Sequence, residues 1–265
     1  MDKTIEIVNS VKDLQAMPSV IVKVLNVMKK PTASMTELGN IVIYDQSLTI
    51  KILALVNSAY YGFSQQISSI NIALSLLGMT KVKNIVVAVA MKPMMSGAGD
   101  KELWKHSIRV AAGCEYLAKL TKIVDADEAF IAGFIHDIGK TALAMNNPKL
   151  YDKVMEVRNA GHDILEVEKK YFDTDHVRTG SLLAKRWQLP ILLANIISYH
   201  HTPSLSSIPV PCNLVCTVDK LMQDNFNPAA LDKPFLKTMG IDFEDVEDLR
   251  NAILQKAELL IAELT

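Results

Sequence analysis

Apolar residues recur at three- and four-residue spacing along nearly the whole chain, the repeat of one helix face. Val20, Val24, Leu25 and Met28 follow it, and Pro31 ends that segment because proline has no amide hydrogen with which to continue a helix. Ser34-Met-Thr-Glu37 has the form of a capping box, in which Ser34 and Glu37 satisfy free amides at a helix start. Ser47 precedes a stripe of Leu48, Ile52, Leu55 and Val56 that ends before Ala59-Tyr-Tyr-Gly62. Two further stripes follow, Ile70–Leu77 closed by Gly78 and Val82–Met91 closed by Pro93. Ser96-Gly-Ala-Gly99 is small and flexible, a linker candidate. Beyond it the spacing predicts helices over 102–121, 127–136, 148–159, 163–171 and 175–187. Pro190 opens a segment running to His200, another follows Pro211, and the last buries Val246, Leu249, Ile253, Leu260 and Leu264. The strand-like run Ile85–Val89 lies inside a longer helical pattern and has no partner. The expectation is an all-α chain in two lobes, 1–95 and 100–265.

Composition narrows the class. Hydrophobic residues make up 49% of the 265 positions and charged residues 22%, which excludes a disordered chain. The longest unbroken apolar run, Ile85–Met91, falls far short of the roughly 20 residues a membrane helix needs, so no membrane insertion is expected. The Met-Asp-Lys-Thr start lacks the basic and apolar regions of a signal peptide. Cys114, Cys212 and Cys216 cannot build a disulfide framework, and the expected location is the cytoplasm. Cys212 and Cys216 are expected as small buried hydrophobes. With 28 basic and 29 acidic residues, no overall field draws nucleic acid, and neither Trp104 nor Trp187 stands in a basic stripe. The halves differ: residues 1–95 carry 9 basic and 5 acidic residues (9 − 5 = +4), the rest 19 and 24 (19 − 24 = −5). All six histidines lie at position 106 or beyond.

That placement carries the candidate chemistry. His136-Asp137 closes the apolar run Phe130–Ile135 and can direct an imidazole and a carboxylate toward one cation. Neutral imidazole with carboxylate suits zinc, manganese or iron. Glu102 and His106 are four apart and share a helix face. His176 precedes Gly180, whose missing side chain allows close helix packing. His200-His201 closes the Pro190 helix, and Asp219 stands in an apolar helix. Singly, Glu102 and Asp219 read as surface ion-pair formers; the set reads as a metal site. His162 is expected exposed near a helix start, and Asn57 as a buried side chain capping a turn.

Trp104, His106 and Ser107, then Ala132-Gly-Phe-Ile-His-Asp-Ile-Gly-Lys140, Asp175-His176, Trp187-x-Leu-Pro190 and His200-His201 give the chain a family likeness. So do Met17-Pro18, Asp45, Asn57-Ser-Ala-Tyr-Tyr-Gly62 and Ala73-Leu-Ser-Leu-Leu-Gly78. Over about residues 14–222 it resembles the HDOD proteins, a signalling branch of the HD-domain metal phosphohydrolase superfamily. It departs at Gln46, where proline is frequent, and at Asp173, where glycine is usual.

The resemblance implies an HD-domain-like helical bundle with an N-terminal helical lobe. It implies metal ligands at His106, His136, Asp137 and Asp219. The related HD-GYP phosphodiesterases extend the set to Glu102, His176, His200 and His201, with Lys140 after the His-Asp pair. The Gly-Tyr-Pro string is absent, Thr202-Pro203 standing after the histidine pair, which argues against cyclic dinucleotide hydrolysis. The implied cofactor is a divalent metal such as iron or manganese, with Asp137 able to bridge two ions, although many HDOD proteins have lost such ligands. Two functions follow. One is an output module presenting a surface to a signalling protein. The other is a phosphohydrolase of a nucleotide or another phosphoester, in which Asp137 and Lys140 are the catalytic groups.

Overall fold

The structure is a computed structural model and describes residues 2–14, 16–28, 30, 34–57, 65–96 and 101–264. Pro31, the Ala59-Tyr-Tyr-Gly62 string and Gly97–Gly99 of the linker candidate lie outside the described residues. The described helices are α1 (Lys3–Ser10), α2 (Ser19–Met28), α3 (Met35–Ile43), α4 (Gln46–Val56) and α5 (Ile70–Ser96). There follow α6 (Lys101–Thr121), α7 (Ala126–Ile135), α8 (Ile138–Asn146), α9 (Pro148–Asn159) and α10 (Ile164–Phe172). The last are α11 (His176–Arg186), α12 (Ile191–Tyr199), α13 (Pro209–Leu221), α14 (Lys233–Thr238) and α15 (Val246–Leu264). No strand occurs among the described residues, and the fold is all-α. Ile85–Val89 is helical, inside α5.

Two compact units divide the chain. One comprises Met17–Pro93 and Gln255–Thr265; the other comprises Met1–Ala16 and Met94–Leu254. In the first, the Ser34–Glu37 capping box forms with both reciprocal hydrogen bonds. Asp45 caps α4, accepting from the Leu48 amide. Asn57 ties the end of α4 to the following segment, donating to the Leu53 and Ile67 carbonyls and accepting from the Ile67 amide. It does so as an exposed residue, so its role as a cap is seen and its expected burial is not.

Helix α5 contains a break. Gly78 takes φ 78° and ψ 161°, a conformation open to glycine because it has no Cβ. Pro93 does not end the helix as the stripe suggested. It removes the hydrogen bond to the Val89 carbonyl, but the helix is already in its last turn and continues to Ser96. By length and apolar composition Ile70–Met95 resembles a membrane span, yet 61% of its most apolar window is packed inside the protein, as in a core helix.

The second unit holds every histidine. Helix α7 is buried on all sides from Ala129 to Ile135, beyond the acidic first turn of Asp127 and Glu128. Helix α13 begins at Pro209, two residues earlier than expected, because both prolines fall in the first turn, where amides have no helical partner. Ile7, Leu143, Ala144, Tyr151, Val154, Val167 and Phe172 form one buried cluster joining α1, α8, α9 and α10. Each large apolar side chain there contributes about 1.5–3 kcal/mol. Gly139 and Gly180 let α8 and α11 touch backbone to backbone: a Cβ on Gly139 would fall on the His176 carbonyl, and one on Gly180 would lie 2.8 Å from Ile197 Cγ2. Between α10 and α11, Asp173 adopts φ 58° and ψ 23°. The left-handed cap that usually calls for glycine is here made by aspartate, one of the few residues that tolerate it.

Candidate metal centre

Each candidate side chain is delivered by a helix or a helix end. His106 projects from α6 and Asp219 from α13. His136 and Asp137 occupy the break between α7 and α8, where the sequence pattern ends a helix at residue 136. Asp137 stands at the N-cap of α8 with φ −98° and ψ 17°, yet its carboxylate caps no amide and turns inward. His176 is the first residue of α11, and His200 closes α12.

These residues converge in two groups that share Asp137. His106, His136, Asp137 and Asp219 each offer a ligand atom, all within 4.8 Å of one another. Asp137, His176, His200 and His201 do the same. His106 Nε2 is 2.9 Å from Asp219 Oδ1, and His136 Nε2 is 3.2 Å from Asp137 Oδ2. On the other side, His176 Nε2 and His200 Nε2 lie 3.4 and 3.5 Å from Asp137 Oδ1. One carboxylate therefore faces a group with each oxygen.

The histidines are held so that Nε2 is the inward atom. His136 Nδ1 donates to the Gly133 carbonyl at 2.7 Å, and His200 Nδ1 lies 3.1 Å from the Ile196 carbonyl at the end of α12. His176 Nδ1 bonds Glu168 Oε2 at 2.6 Å, and the same oxygen accepts the His176 amide at 2.8 Å. A carbonyl or carboxylate on Nδ1 fixes the proton there and leaves an Nε2 lone pair for a cation. His136 Nε2, His200 Nε2 and Asp137 Oδ1 are buried without a hydrogen-bond partner. Buried polar atoms are nearly always satisfied, so these orphans, which fall in both groups around Asp137, fit cation ligands.

The electrostatics agree. Burial disfavours the charged forms of Asp137 and Asp219, but neighbours override it. His136 and Lys140 hold Asp137 well below the carboxylate range; His106 and His136 do the same for Asp219. Burial opposes a charge on His136 too, yet the Asp137 carboxylate raises its pKa to about 10. Burial, reinforced by the Lys140 charge, pushes His176 far down. Burial and then His200 take His201 to about 2. Burial lifts Glu168 to about 8. Two ionised aspartates in a desolvated site, balanced by a proton on His136 and by Lys140, suit a divalent cation in the proton's place. Lys140 Nζ contacts Asp137 Oδ2 at 2.5 Å.

Of the residues singled out in the sequence, Glu102 alone stands outside both groups. Its side chain is 65% exposed and pairs with Lys105 at 2.6 Å, although it lies one helix turn from His106. Glu168 is the residue the sequence reading missed. The available signal was a carboxylate on an apolar face, since Ile164, Val167, Glu168 and Phe172 share helical spacing. His162 is exposed just before the Asp163 cap of α10. Cys212 and Cys216 are buried free thiols, as expected.

A cleft of about 350 Å³ reaches the groups through His106, Lys140, His201 and Asp219. Its size falls within the range of small-molecule sites. Its walls carry Arg109, Arg158 and Lys220 beside Tyr151 and Met155.

The sequence profile of the HDOD domain family matches residues 14–203. An uncharacterized protein of Treponema pallidum is 26% identical over 202 residues, 74% of this chain but 39% of that protein. The chain thus spans about two fifths of the length of that curated relative. Among solved structures, an HDOD domain protein of unknown function from Geobacter sulfurreducens aligns with a TM-score of 0.84 at 20% identity, covering 99% of this chain and 97% of its own. A Marinobacter aquaeolei protein provisionally named for signal transduction gives 0.80 at 20% identity over 94% of this chain and 58% of its own. A Shewanella amazonensis protein provisionally named a phosphohydrolase gives 0.74 at 20% identity over 99% and 98%. These likenesses carry the fold.

Proposed function

The chain belongs to the HDOD domain family, and from that premise we propose that it is a bacterial signalling output module built around a retained two-cation centre. The observation that carries the reading is the convergence of six side chains around the two oxygens of Asp137, with buried lone pairs pointing inward. A surface on this module would meet a signalling protein partner. His106, His136 and Asp219 would hold one cation, His176, His200 and His201 the other, and Asp137 both. A proteinaceous scaffold alone has no need of three orphaned buried polar atoms, since apolar replacements would pack at least as well.

The cleft favours a second reading, hydrolysis of a nucleotide or other phosphoester. When bound, paired divalent cations lower the pKa of water and neutralise a phosphoryl group. The chain's own part would be to orient that group. Lys140, fixed by Asp137, offers a point charge to a phosphate oxygen, and Asp137 holds the geometry.

One preparation tests both readings. Elemental analysis of protein purified without chelator is expected to find iron or manganese at about two ions per chain, falling below half an ion in His136→Ala and His200→Ala double-variant protein. Metal-free wild type after reconstitution would overturn the module as described. Turnover of p-nitrophenyl phosphate that vanishes in the double variant would establish the second reading; absence of turnover with metal present would leave the module alone standing.

A further inference from the structure

Helix α1 lies before residue 14, where the family match begins, yet it is packed into the unit that carries the centre, chiefly against α11 and α8. One end of it reaches the α10–α11 turn. Thr4 Oγ1 and Thr174 Oγ1 share a buried hydrogen bond of 2.8 Å, and Thr174 sits between left-handed Asp173 and the Asp175 cap of α11. Ile7 packs in the same buried cluster as Phe172, the last residue of α10. The Asp2 carboxyl is lowered first by the Thr4 amide and also by the field of Arg178; Lys3 is raised first by Glu6 and also by the field of Asp173. At its other end, Arg186 donates to Asn9 Oδ1 at 2.8 Å, and Asn146 to Ser10 Oγ at 2.8 Å. The turn so gripped contains a non-glycine residue at positive φ, a conformation that persists only where surroundings enforce it. Two residues after Thr174 comes His176, whose backbone and ring are both placed by Glu168.

We propose that α1 is a clasp on the α10–α11 turn, and that Thr4 and Thr174 are positioning residues for the half of the centre that carries His176. Resting on the two-cation reading, the proposal adds that α1 controls one cation and leaves the other alone. The His106 half is built from α6, α13 and the α7–α8 break, whereas the turn held by α1 leads directly into His176. Whatever moves α1 would then be read as occupancy of one site of the pair.

Thr4→Val keeps the shape of the side chain and removes its hydroxyl, leaving that of Thr174 buried without this partner. In calorimetric titration of the full metal-free chain with Mn²⁺, one of the two binding steps is expected to weaken about tenfold, the scale of a lost supporting contact. The other step should change by less than about twofold, and Thr4→Ser should restore the weakened one; circular dichroism confirms that each variant is folded. Equal weakening of both steps, or of neither, overturns the clasp. Should wild type bind no Mn²⁺, the two-cation reading falls, and nitrogen-15 histidine spectra of the metal-free proteins decide the clasp separately. A His176 ring signal moved by Thr4→Val, with His136 unmoved, supports it; unmoved His176 sinks it.

Discussion

Seven side chains become a cation site only because other groups fix which atom each presents. His136, His176 and His200 each give Nδ1 to an oxygen and turn Nε2 inward, and the three oxygens come from different sources: a helix carbonyl within α7, Glu168, and the frayed end of α12. Glu168 differs from the other two in being a side chain, and so can be changed. Glu168→Gln removes the carboxylate behind His176 while nearly keeping its size. We expect metal affinity to fall by about 10- to 100-fold, measured by competition with a chromogenic chelator. Helix content should be unchanged, because Gln avoids burying a carboxyl whose pKa is already raised to about 8. Unchanged affinity would show that His176 is placed without it. The residues offering ligand atoms were legible in sequence because each is a histidine, or an aspartate beside one or in an apolar helix. Glu168 was not, because support for a ligand has no spacing rule. Helical spacing puts Glu102 on the His106 face, and in the structure its side chain lines the cleft and pairs with Lys105.

At the scale of elements, the centre depends on α8 and α11 approaching closely enough for Asp137 to meet His176. Gly139 and Gly180 permit that approach, and the spacing of Gly180 from His176 was readable beforehand. Gly180→Ala is expected to push its Cβ against Ile197 Cγ2, displacing α11 and destabilising the protein by about 1–3 kcal/mol, measured by urea denaturation. A stability within about 0.5 kcal/mol of wild type would mean the contact relaxes freely. Long amphipathic helices such as α6, α9 and α15 were legible because their stripes span several turns. Short α1, α8 and α14 were not, since six to nine residues give few repeats with which to separate a helix from an irregular segment. The end of α7 at His136 was legible, and the structure adds the inward turn of Asp137, whose carboxylate caps no amide of α8.

For the whole molecule, the excess of acidic residues beyond position 95 and the confinement of histidine to the same stretch have a common structural correlate. All seven converging side chains lie within Met94–Leu254, together with the cleft that reaches them. The unit of Met17–Pro93 and Gln255–Thr265 carries no histidine and, among described residues, no group of metal-holding side chains. The segments joining the two were not separable by composition, because α1 precedes one unit in sequence yet packs with the other, while the residues of α15 are divided between the two. Such exchange of chain ends is set by tertiary packing. The central claim is the sharing of Asp137 by two cations, and anomalous diffraction from crystals grown with Mn²⁺ tests it most directly. The account predicts two peaks about 3.5–4 Å apart, one among His106, His136 and Asp219, the other among His176, His200 and His201, both against Asp137. A map with no peak there, or with a single peak that Asp137 does not touch, would contradict it.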